Sequence, residues 1–96
     1  IWGINGMNLL KVLSNIEEYS DEETIYAVKD WTVASDTIVM VEPDDGVLEF
    51  TVDRRVYSYF LEVFLIKELL SDLSEKHELP LEGKALCIIQ YASNDA

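Results

Sequence analysis

Ile38-Val39-Met40-Val41-Glu42-Pro43-Asp44-Asp45-Gly46-Val47-Leu48-Glu49-Phe50-Thr51-Val52 is the stretch on which the fold turns. Ile38–Val41 is short and continuously apolar, the pattern of a strand covered on both faces. Pro43-Asp44-Asp45-Gly46 carries a strong turn signal, because proline presets φ and glycine accepts a positive φ. Beyond it Leu48, Phe50 and Val52 alternate with Glu49 and Thr51, as in a half-buried strand. Two strands flanking a turn predict an antiparallel hairpin.

Working outward, Thr24-Ile25-Tyr26-Ala27-Val28-Lys29 is rich in β-formers and predicts a further strand. Before it, Leu9, Val12, Leu13 and Ile16 recur at helical spacing, with Asn8 placed to cap the helix and its end expected near Glu18 or Tyr19. After it, Val56 to Leu65 is ambiguous, since Val56–Leu61 could continue as strand while Glu62 onward is helical. From Glu62 the helix is clear: Val63, Ile66, Leu69, Leu70 and Leu73 make one face, opposite Lys67, Ser71, Asp72 and Glu75, and Pro80 demands an end near His77 or Glu78. Leu81–Ala92 fits a helix through Leu81, Ala85, Ile88, Ile89 and Ala92. A buried strand over Ala85–Ile89 is the alternative, and Gly83 weakens the helix by about 1 kcal/mol relative to alanine. The expected order is α-β-β-β-α-α, with an extra strand at 56–61 as the variant. That is an α+β fold in which helices pack on one face of a small, mainly antiparallel sheet of three to four strands.

The 96 residues fit one domain, read as 7–96, since Met7-Asn8-Leu9-Leu10-Lys11 looks like a natural start and 1–6 like a leader added in expression. Hydrophobic residues at 49% suffice for a core without covalent staples. Cys87 is the single cysteine, so no disulfide forms within the chain and a reducing cytoplasm is the expected compartment. The longest apolar stretch, Val56–Leu70, is broken by Ser58, Glu62, Lys67 and Glu68 and does not read as a membrane span.

Charge is the most unusual feature. Nineteen Asp and Glu against seven Lys and Arg give a net charge of −12. Such a field repels nucleic acid and anionic membranes and speeds encounter with basic proteins. Acidity also serves solubility alone. The carboxylates cluster as Glu17, Glu18, Asp21, Glu22 and Glu23 after the first helix, Glu42, Asp44 and Asp45 at the turn, and Asp72, Glu75 and Glu78 late in the main helix. Convergence of some of these into one negative patch makes them the candidate partner-binding residues.

Other chemistry is weakly supported. His77, the one histidine, sits at a helix end where a cation suits the dipole. Cys87 lies in an apolar run, the setting of an inert buried thiol. The Gly3 and Gly6 pair lacks the strand–helix context of a phosphate loop. No cysteine or histidine pair has zinc spacing, and neither acidic cluster follows the twelve-residue calcium loop. Arg54-Arg55 reads as a solvated turn. We therefore expect no catalytic residue, no metal and no cofactor.

Tyr59-Phe60-Leu61-Glu62-Val63-Phe64-Leu65-Ile66-Lys67-Glu68-Leu69-Leu70, the ending Ile89-Gln90-Tyr91-Ala92-Ser93-Asn94-Asp95-Ala96, the Met7 start and the Ile38–Val41 strand together resemble small bacterial immunity proteins of contact-dependent growth inhibition and other polymorphic toxin systems. The resemblance implies a cytoplasmic, non-enzymatic protein that binds its own toxin domain, often a basic nuclease, and blocks it stoichiometrically. It carries over no contact residue, because each such protein matches its own toxin. An acidic adaptor or regulatory domain is the alternative function, and a small carboxylate enzyme a third.

Overall fold

A computed structural model describes residues 7–76 and 78–95. The expectations for residues 1–6 and for His77 concern residues outside that set.

Asn8 caps the first helix as its spacing predicts, its Oδ1 accepting from the Lys11 N–H at 2.8 Å. That helix, α1 (Leu9–Ser14), is short and runs into a 3-10 turn, Ile16–Glu18. Four strands follow: β1 (Glu23–Val28), β2 (Thr37–Val41), β3 (Glu49–Val52) and β4 (Arg55–Glu62). Two helices close the chain, α2 (Val63–Lys76) and α3 (Leu81–Asp95). Val56–Leu61 is therefore strand, and Leu81–Ala92 takes the helical reading.

All strand pairs are antiparallel, in the order β2-β1-β4-β3. This corrects the hairpin expected between residues 38–41 and 48–52. The turn itself forms, with the Gly46 N–H donating to the Pro43 carbonyl at 3.0 Å and Gly46 at φ +69°. Yet β2 and β3 lie on opposite edges of the sheet. The cause is competition between connections. Asp53 and Arg54, at φ 52° and 68°, form a two-residue turn that joins β3 directly to β4. Two consecutive positive φ values match the twist of paired strands, so the local hairpin wins over one spanning the seven residues from Glu42 to Leu48. That connection crosses three strand spacings, about 14 Å, well within the roughly 23 Å reach of seven extended residues.

The same order corrects the expectation that Ile38–Val41 is covered on both faces. β2 is an edge strand: Ile38, Val39 and Met40 are half-buried and Val41 is 61% exposed. The central positions go to β1 and β4, whose inner residues are buried.

Ile25 and Ala27 on β1 join the core with Leu9, Val12 and Leu13 of α1, Val63 and Ile66 of α2, and Ala85, Ile88 and Ala92 of α3. In β4 the register slips by one residue opposite Ile25 and Tyr26, so Phe60 is an extra residue and both it and Leu61 enter the core. A bulge of this kind bends the strand and re-aims a side chain. Tyr26, between Ile25 and Ala27, points to the other face and packs its ring against Phe50 at 4.8 Å and Tyr59 at 6.1 Å.

Candidate functional site

On α2, Phe64, Glu68, Ser71, Asp72 and Glu75 are exposed and Lys67 is half-buried. Their spacing of three and four places them in one stripe along the helix. The chain entering β1 passes beside this stripe, and Asp21 completes a groove of about 420 Å³ with the six α2 residues. The groove holds four carboxylates, Asp21, Glu68, Asp72 and Glu75, against the single ammonium of Lys67.

Lys67 is already committed. Its Nζ donates to Asp21 Oδ1 at 2.7 Å and to the Tyr19 carbonyl at 3.0 Å, which ties α2 to the turn before β1. Asp72 pairs with Lys76 one turn along at 3.2 Å. Both groups are more than half exposed, so that pair contributes at most about 1 kcal/mol and leaves Asp72 free to exchange partners. Glu68 and Glu75 make no ion pair among the described residues. Phe64, 51% exposed, supplies an aromatic surface at the same site.

Of the carboxylates singled out by sequence, Asp21, Asp72 and Glu75 meet in this groove. Glu17 and Glu18 are exposed on the 3-10 turn, which packs against α2. Glu22 is exposed, and Glu23 is engaged locally, its Oε1 accepting from the Ser20 N–H at 2.9 Å. Glu18 and Glu23, after burial itself, push the Tyr19 hydroxyl above its ordinary pKa. Asp44 and Asp45 do not line the groove. They lie in the β2–β3 connection, where Asp45 Oδ1 accepts from the Val47 N–H at 3.3 Å. That connection leaves the sheet beside Glu23, the partner of Val41. Glu78 is exposed in the link between α2 and α3. Sequence reasoning missed Glu68 and Phe64. The signal was present in the three-and-four spacing of residues 64, 68, 71, 72 and 75, but the buried face drew the attention.

The remaining candidates fall elsewhere. Cys87 is exposed on α3, which corrects the buried thiol expected from its apolar neighbours. The buried stripe of α3 is Ala85, Ile88 and Ala92, and Cys87 stands about 100° from Ile88 around the helix. Arg55 pairs with Asp36. Among the described residues no group of three or more His, Cys, Asp and Glu side chains could hold a metal ion. No helix described is long and apolar enough to cross a membrane.

A groove of exposed carboxylates beside an exposed ring suits lysine or arginine side chains that also carry apolar neighbours. The four carboxylates are all exposed, unlike the enclosed, convergent pair that tuned acid–base chemistry uses. No known protein family matches this chain, and neither does any curated protein or solved structure.

Proposed function

We propose that this domain is an immunity protein that binds a basic toxin domain and neutralises it by stoichiometric occupation. The observation that carries the reading is the groove on α2, where Glu68, Asp72 and Glu75 stand exposed beside Phe64. Charge accelerates the encounter and rejects acidic competitors. The aromatic ring supplies area that loses water on contact, which is where binding energy concentrates. A nuclease toxin presents cations where phosphates would lie, and a row of carboxylates can take their place.

The test is binding to the toxin domain encoded beside this protein, at low and high salt, with the toxin's activity measured in parallel. We expect tight binding that abolishes activity and weakens as salt rises. Reversing charge at Glu68, Asp72 and Glu75 should weaken binding at low salt by roughly a hundredfold, whereas reversal at Asp44 and Asp45 should cost less than about tenfold. Equal losses at both places would remove the groove from the argument. Binding without inhibition would replace the immunity role by that of an acidic adaptor.

A further inference from the structure

Trp31 stands just beyond the C-terminal end of β1, its ring held by the strands behind it. The indole N–H donates to the Ala27 carbonyl at 3.1 Å, and the ring meets Phe60 edge-on with 4.9 Å between centroids. It also carries a cation: Lys29 Nζ lies 5.0 Å from the ring centre. Trp31, Leu48, Tyr59 and Phe60 wall a cleft of about 270 Å³ that Lys29 and Glu49 also line. A hollow of about 250 Å³ shares Lys29 and Trp31 with it and adds Asp30. At about 270 Å³ the cleft falls below the roughly 300–1,000 Å³ of small-molecule sites and suits one long side chain.

The charges decide which side chain. Two carboxylates, Asp30 and Glu49, line these hollows against the one ammonium of Lys29. None of the three forms an ion pair among the described residues. Glu49 Oε2 accepts from the Ser58 hydroxyl at 3.4 Å, a long and weak bond. The ring quadrupole draws a cation to its face. Lys29 therefore shows what the cleft attracts, but it is exposed, and a cation–π contact in the open is weak. A guanidinium is the better occupant. It is planar, stacks on an indole, sheds water more readily than an ammonium and has further N–H donors for a carboxylate.

We infer that the cleft receives an arginine side chain of a partner, its guanidinium displacing the Lys29 ammonium from Trp31 and donating to Glu49. The apolar wall of Leu48 and Tyr59 suits the methylene stem. That the arginine belongs to a basic protein rests on the function proposed above; the preference for a cation does not. The α2 groove lies past the other end of β1, beside Asp21, so the cleft is a second point of contact rather than an extension of the first.

The probe is N-acetylarginine amide, titrated into the full chain at fixed ionic strength and followed through the Trp31 indole N–H resonance. We expect a saturable shift in the millimolar range and none with N-acetylleucine amide. Lys29→Gln should tighten binding roughly threefold, because the resident cation is gone. Lys11→Gln removes the same charge from α1 and should leave binding unchanged. Glu49→Gln should weaken it roughly threefold. No shift, an equal response to the leucine amide, or equal tightening by Lys29→Gln and Lys11→Gln would overturn the inference. So would a stronger response to N-acetylaspartate amide, which would make Lys29 an anchor for anions. The probe needs no toxin. A blank titration leaves the immunity reading standing, and a toxin that fails to bind leaves the preference of the cleft intact.

Discussion

Tyr26 is fully buried, yet its hydroxyl has no hydrogen-bond partner among the described residues. Its ring earns the position by contact with Phe50 and Tyr59, and the oxygen comes along unsatisfied. An unpaired buried polar atom costs more than it contributes. Tyr26→Phe should therefore stabilise the fold by up to about 1 kcal/mol in urea unfolding. A loss of that size would mean that the hydroxyl does hold a bond. Burial, and after it the nearby Glu42 carboxylate, raise the Tyr26 pKa above its ordinary 10.0. A phenol whose folded pKa is raised contributes stability that is fully present below the unfolded value and is lost as pH rises through the folded one. Unfolding curves at pH 8 and at pH 11, two points on either side of that ordinary value of about 10, should show the native chain weakening more than Tyr26→Phe. Tyr19, shifted the same way, adds to the loss. Sequence marks Tyr26 only as a strand residue. That its neighbours are rings rather than acceptors depends on β3, 24 residues away, lying two strands over.

Periodicity carries the helices and strands because each is decided within a few residues. The Asn8 cap, the α2 face and the Leu81 helix are all local, and all are present. Pairing is another matter. Pro43-Asp44-Asp45-Gly46 is the stronger turn by composition, yet the hairpin forms at Asp53-Arg54, where neither residue is glycine or asparagine. Positive φ at two such residues is strained. The turn persists because Phe50 stacks on Tyr57 across it and four backbone pairs follow. Replacing Asp53 by asparagine and Arg54 by glycine should relieve that strain and stabilise the fold by about 1 kcal/mol, read as a raised urea midpoint. An unchanged or lowered midpoint would mean that backbone strain there is negligible beside the entropy glycine adds to the unfolded chain. The groove shows the same division. Its α2 stripe is legible in spacing, whereas Asp21 enters only because Lys67 reaches it across 46 residues of sequence.

The whole domain measures 38 × 26 × 25 Å and carries −12. Among the described residues three cations are engaged in ion pairs, Lys67 with Asp21, Arg55 with Asp36 and Lys76 with Asp72. The uncompensated carboxylates repel one another in the folded state and less so in the expanded chain. At 0.01 M ionic strength the screening length, about 30 Å, is comparable to the molecule, so every carboxylate feels the others. Near 0.1 M it falls to about 10 Å and only neighbours interact. Added sodium chloride should therefore raise the melting temperature over that range, by roughly 5 °C if the relief is about 1 kcal/mol. A fall would mean that the three ion pairs outweigh the repulsion. Neutralising Glu68 and Glu75 as glutamines separates stability from recognition. The free protein should melt higher at low salt and gain less from added salt, because part of the repulsion is gone. Binding of a basic partner should weaken at the same time, so the same two carboxylates that strain the free domain are the ones a cationic surface relieves. A variant more stable and equally tight would place recognition elsewhere on the surface.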